Sequence, residues 1–130
     1  MINSAHKGKR GEVELCEWIK KNLGVTIERN YNQASGEKAD IVLKDVLIEV
    51  KRSETLNLKY WWDQVLTAKD QKPEIFMPVV AFRQNRKKWE FLVPAWLLGD
   101  EYGDEYIRIS ETVFIVLYQQ IEIFRFKKDA

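Results

Sequence analysis

With 130 residues, 45% of them hydrophobic and 32% charged, the chain has the make-up of one globular domain, which excludes an intrinsically disordered one. No apolar run approaches the roughly 20 residues that a membrane-spanning helix needs. The opening Met-Ile-Asn-Ser-Ala-His-Lys-Gly-Lys-Arg sets no apolar stretch behind its charges, and one cysteine, Cys16, rules out an internal disulfide, so a cytoplasmic setting is expected. The net charge is only +1, but it is unevenly spread. His6, Lys7, Lys9 and Arg10 precede the first acid, Arg83, Arg86, Lys87 and Lys88 form a second cluster, and Arg125, Lys127 and Lys128 a third. Each cluster reads equally well as solvated surface or as a contact for phosphates.

In chain order, residues 1 to 10 read as a flexible basic arm of a single domain spanning 1 to 130. Glu12 to Asn22 reads as a helix on the spacing of Val13, Cys16, Ile19, Lys20 and Leu23, with Leu23-Gly24 as its stop. Val25 to Glu28 suggests a short strand, and residues 30 to 38 carry the polar and glycine signals of a loop. Ala39 to Leu43 and Val46 to Lys51 are apolar runs parted by Lys44-Asp45, which predicts a hairpin. Leu58 to Lys69 keeps a helical period through Trp61, Trp62, Val65 and Leu66, with Pro73 beyond it. A second hairpin is expected from Pro78 to Phe82 and Trp89 to Val93, joined by the basic segment 83 to 88. Pro94 can open a short helix over Ala95 to Leu98, and Tyr106 to Ile109 should be extended. From Ser110 onward, Phe114, Leu117, Tyr118, Ile121 and Phe124 fit a helix capped by Ser110, while the β-branched content argues for strand. Helix is the reading adopted.

The stretch with the most chemistry is Asp40 to Lys51. Side chains alternate along a strand, so Glu49 and Lys51 share a face while Val50 turns away into the core. Charge placed among Val46, Leu47, Ile48 and Val50 is costly without a partner. A divalent cation is the natural partner. Asp40 and Glu49 offer the hard oxygen ligands that Mg2+ prefers, and Lys51 stands where an attacking water can be oriented or its charge stabilised.

An early helix carrying Glu12, a loop, Asp40, Glu49-Val50-Lys51 and a following helix, in that order, resemble the PD-(D/E)xK nuclease superfamily. Within it the chain is similar to the archaeal-type, Hjc-like Holliday junction resolvases, which phages also encode. Gly8-Lys9-Arg10-Gly11-Glu12 resembles their Gly-x-x-x-Glu opening, Ala34-Ser35-Gly36 their mobile catalytic loop, and Ile48-Glu49-Val50-Lys51 their central strand. The likeness covers roughly residues 7 to 69. It implies an α/β fold with a restriction-endonuclease-like core, a central mixed β-sheet flanked by helices. It also implies a homodimeric, Mg2+-dependent endonuclease, with Mn2+ able to substitute, that nicks four-way DNA symmetrically in the host cytoplasm.

By the same resemblance Glu12, Asp40, Glu49 and the Val50 carbonyl are the metal ligands. Lys51 positions or polarises the water, Ser35 contacts the phosphate region, and Gly36 gives the backbone freedom to approach it. Lys7, Lys9, Arg10 and Arg52 join Ser35 and Gly36 as candidate DNA contacts. Gln64 sits where some related nucleases place an active-site glutamine, although a surface role is as natural. His6 reads as a DNA contact or as part of a terminus. Trp61 and Trp62 suit base stacking or packing in a core, and five tryptophans suggest that some line a subunit interface. Two departures stand out. Lys38-Ala39 replaces the usual proline before the first Asp, and the segment from Arg29 to Ser35 is longer than usual, so Arg29 receives no phosphate role. A repair or restriction-type nuclease acting on flaps, ends or duplex, a non-catalytic DNA-binding module, and a protein-interaction domain are the competing functions.

Overall fold

The computed structural model describes residues 4–27, 40–121 and 123, and side chains from residue 10 onward within those ranges, that of Asp40 excepted. The chain runs through α1 (Ser4–Leu23), β1 (Asp40–Leu43), β2 (Val46–Arg52), α2 (Leu58–Asp70), β3 (Met77–Arg83), β4 (Glu90–Pro94), two single 3-10 turns at Ala95–Leu97 and Asp100–Tyr102, β5 (Tyr106–Ser110) and α3 (Glu111–Gln119). The five strands lie in one sheet in sequence order. Only β2 and β3 are parallel, joined by α2 as a crossover, and every other neighbour is antiparallel. This is the mixed, helix-flanked sheet that the sequence implies.

The alternation of β2 sorts the core into two layers. Val46, Ile48 and Val50 face α1 and α3 and pack with Leu15, Ile19, Val79, Ala81, Phe91 and Phe114. Leu47 faces α2 and packs with Trp61, Trp62, Val65, Val80 and Phe82. The β1–β2 connection is a two-residue turn with Lys44 and Asp45 at φ 50° and 66°, the left-handed pair that a tight hairpin requires. Ser110 caps α3, its hydroxyl accepting from the Val113 amide at 3.2 Å, so the helical reading of this segment holds over Glu111–Gln119.

Several sequence expectations are corrected. α1 begins at Ser4, eight residues ahead of the expected Glu12, and takes in most of the stretch read as an arm. Its buried stripe is Gly11, Leu15 and Ile19, a spacing of four that a glycine conceals. Gly11 is where the helix comes closest to the sheet, because a Cβ there would lie 3.1 Å from the Arg52 Cβ. No strand forms over residues 25 to 27. Of the five tryptophans, Trp61, Trp62 and Trp89 are buried, and Trp18 and Trp96 are half-buried. Trp61 and Trp62 are core residues, and Trp62 Nε1 donates to the Asp104 carbonyl at 2.8 Å.

Candidate active site

Glu49 is the one buried charged residue among those described, with 2% of its surface exposed. The strand period puts it on the α2 face between Leu47 and Lys51, and the parallel register sets Val80 beside it and Phe82 beside Lys51. Phe82 is in turn covered by Trp61, with ring centroids 5.8 Å apart, and by the Arg108 guanidinium 5.3 Å from its ring centre. Glu49 is thus a carboxylate in apolar surroundings. Its described partner is the Lys51 ammonium, 3.4 Å from Oε1, on a side chain 24% exposed. Oε2 is buried and accepts no hydrogen bond from a described residue.

Leaving a buried carboxylate oxygen unmatched costs several kcal/mol when the group is charged, so the position calls for a further cation. The antiparallel register supplies the second acid. Asp40 is the Cα partner of Glu49, and directly opposed residues occupy the same face of a sheet, with Cβ atoms about 5 Å apart. An orphaned buried oxygen, an acid across the ladder and an ammonium at its side fit a hard divalent ion. β1 starts at Asp40, so within the described strands Val50, Lys51 and Arg52 have no neighbour on that side. The backbone of Val50 therefore lies on a stretch of β2 paired only with β3.

Glu12 stands on α1, the helix packed against the face of Val50 and Arg52, opposite to Glu49. Among the described residues no three His, Cys, Asp or Glu side chains gather as a metal cluster. Arg52 is held by other residues of the chain: Nε donates to Glu14 Oε1 at 2.8 Å and Nη1 to Asn85 Oδ1 at 2.7 Å. Gln64 is half-buried, and its Oε1 is a second buried acceptor that takes no hydrogen bond from a described residue. On α2 it lies about 200° around the axis from Trp62. Trp62 meets Tyr106 on β5. Arg10 is exposed on α1. His6, Lys7 and Lys9 are placed by backbone only, on the first turns of α1. Ser35 and Gly36 lie outside the described residues.

Pair formation nearby is stronger at the surface than at Glu49. Arg108 donates from Nε and Nη2 to the two oxygens of Glu90, both at 2.8 Å, and this holds the Glu90 carboxyl below its ordinary value and the Arg108 guanidinium above its own. Lys59 is raised in the same manner by its hydrogen bond to Asp63. Sequence reasoning missed Glu14, whose partner lies 38 residues on. It also missed the bracing of the 83 to 88 segment by Glu54, and its only available signal was the run Arg-Gln-Asn-Arg-Lys-Lys itself.

Comparison with known proteins gives the family of the chain. Residues 3–128 match the family described as "Phage putative PDDEXK endonuclease". Among solved structures, the chain is similar to Hjc, a Holliday junction resolvase from the archaeal hyperthermophile Archaeoglobus fulgidus, with 19% identity, a TM-score of 0.44, and coverage of 84% of this chain and 93% of that one. No curated protein matches the sequence. The family match takes in almost the whole chain, including Asp40, Glu49 and Lys51, and the chain belongs to the phage PDDEXK endonucleases, within the PD-(D/E)xK nucleases.

Proposed function

We propose that this chain is a Mg2+-dependent, homodimeric endonuclease that resolves four-way DNA junctions by paired, symmetric nicks. The observation that carries the nuclease chemistry is the buried, unmatched Oε2 of Glu49 beside Lys51, with Asp40 opposite in the register. Asp40 and Glu49 would hold the ion, with the Val50 carbonyl as the further ligand that the family resemblance suggests; Glu12, on the helix of the opposite face, is left out of the set. The chemistry that a divalent ion would supply there is a water made nucleophilic near neutral pH and a counter-charge for the negative charge that develops on the phosphate. Lys51 orients that water and offsets negative charge as it develops. The surrounding Phe82, Trp61 and Leu47 exclude bulk solvent, which strengthens each of these interactions. Gln64 Oε1, buried and accepting no hydrogen bond from a described residue, is the group that the resemblance to related nucleases would assign to holding the attacking water.

The junction as substrate rests on the order of motifs, Gly8-x-x-x-Glu12, Ala34-Ser35-Gly36 and Ile48 to Lys51. A two-fold dimer matches a four-way junction because two symmetric scissile phosphates need two sites related by one axis. Such an enzyme reads phosphates and branch shape with few base contacts.

The test is a strand-by-strand labelled four-way junction incubated with protein and Mg2+ or Mn2+, beside flap, duplex and single-stranded substrates. Paired nicks of equal polarity near the crossover are expected. Asp40→Ala and Glu49→Ala should abolish cleavage while junction binding survives, and Lys51→Ala should lose cleavage but keep metal affinity. Full activity in either acid variant refutes the assignment. Preferential cutting of flaps or duplex replaces the junction by a repair or restriction-type substrate.

A further inference from the structure

The β3–β4 hairpin, residues 84 to 89, is the most basic ridge on the described surface. Arg83, Arg86, Lys87 and Lys88 fall within six residues that contain no acid, and Asn85 to Lys88 are exposed. A chain whose net charge is +1 has collected four cations on one turn. Arg86 adopts φ 62°, a left-handed conformation that a non-glycine residue takes at a cost of about 1 kcal/mol or more.

The turn is fixed in place rather than loose. Gln84 Nε2 donates to the Glu54 carbonyl at 2.9 Å, the Asn85 amide donates to the Glu54 carboxylate, and Asn85 Oδ1 accepts from Arg52 at 2.7 Å. Arg83 Nε donates to the Lys87 carbonyl at 2.7 Å, closing the turn on itself. The outside contacts of Gln84 and Asn85 run to Arg52 and Glu54, where the chain leaves β2 just past Lys51. Arg86 and Lys88 enter no ion pair with a described residue, and the charge of Lys87 is felt at Glu90. The turn banks a groove of about 540 Å³ against α1. Three acids line that groove, Glu14 tied to Arg52, Glu111 accepting from the Trp89 amide, and the exposed Glu17, against five cations once Lys21 is counted with the four of the turn.

The register fixes the distance to the candidate active site. Val80 is level with Glu49 and Arg83 with Arg52, so the base of the hairpin stands three residues, or about 10 Å, along the strand from Glu49. At 3.4 Å of axis per base pair, a duplex arm that leaves the scissile position along the strand direction reaches this ridge after about three pairs.

We infer that the 83–88 turn is a rigid phosphate clamp that grips the backbone of a duplex DNA arm beside the nuclease site. The inference rests on the nuclease reading above and adds the surface that holds the arm. Recognition is by charge, so it carries no base preference. Its bracing to Arg52 and Glu54 presents the cations without an ordering cost at binding.

The test measures affinity for a fluorescent four-way junction, in EDTA to prevent cutting, across a range of salt. Neutralising three phosphate contacts lowers the slope of log K against log salt by about 2.7, so Arg86→Gln/Lys87→Gln/Lys88→Gln should reduce it by two to three and weaken binding about tenfold or more. The charge-keeping set Arg86→Lys/Lys87→Arg/Lys88→Arg should retain the slope. An unchanged slope in a triple variant with native circular dichroism overturns the clamp, and if the unmutated protein still cleaves junctions the nuclease reading stands. Lost binding to polyglutamate with DNA binding intact also overturns it, in favour of an acidic protein partner. Absence of DNA binding and cleavage by the unmutated protein overturns both.

Discussion

Replacing Glu49 by glutamine keeps the shape of the side chain and removes the charge that an ion would answer. In metal-free buffer the effect should be small, within about 1 kcal/mol, because Lys51 reaches solvent and can rehydrate while the penalty of a buried carboxylate is relieved. Adding Mg2+ separates the two proteins. An ion present at ten times its dissociation constant stabilises the native state by RT ln 11, about 1.4 kcal/mol. For 130 residues, an unfolding entropy of about 2.1 cal/mol/K per residue gives about 0.27 kcal/mol per degree, so the unmutated protein should melt about 5 °C higher. Glu49→Gln should show no Mg2+-dependent shift. Differential scanning fluorimetry over a Mg2+ titration, with NaCl matching the ionic strength, reads the effect without DNA or catalysis. Equal shifts in the two proteins would refute the claim that the unmatched oxygen of Glu49 is a cation ligand.

Two further outcomes test the frame around the site. Gly11→Val adds methyl groups where a Cβ alone would already sit 3.1 Å from the Arg52 Cβ. Overpacking of this kind costs about 1–3 kcal/mol, and a loss of urea-melt stability under about 0.5 kcal/mol would mean that α1 does not approach β2 so closely. Glu90 has its folded pKa depressed by Arg108, so its contribution is present above its unfolded pKa and lost as pH falls through the folded value. The pair is partly exposed, which limits the contribution to less than about 1 kcal/mol. The stability gap between the unmutated protein and Glu90→Gln should therefore be open at pH 7 and narrow as pH falls below the ordinary carboxylate range, and a gap independent of pH would contradict the pairing.

What the sequence disclosed depended on how far each signal reached. The period of two in Val46 to Lys51 is local, and it set Glu49, Lys51 and Val50 on their proper faces before any fold was known. Trp61, Trp62 and Val65 announced α2 and its buried side in the same way. The start of α1 escaped because its first turns carry His6, Lys7 and Lys9, polar residues that give no apolar period. Gly11 hid because a helix contact made by a missing side chain leaves no hydrophobic mark. The Arg52–Glu14 and Asn85–Glu54 links join residues more than 30 positions apart, and no local pattern encodes a pairing that only the sheet order creates. A short strand over Val25 to Ile27 was the converse error, since β-branched content without a neighbouring strand does not make a ladder.

The sheet divides the interior unequally. Among the described residues, sixteen buried side chains lie on the side of α1 and α3 and eight on the side of α2. Strand β2 is therefore anchored from behind by the thicker half of the molecule, while its Glu49 and Lys51 face the thinner one. Changes beneath α2 can reshape the surroundings of Glu49 without unseating the strand that carries it, which leaves that side free to drift in evolution while the foundation stays put.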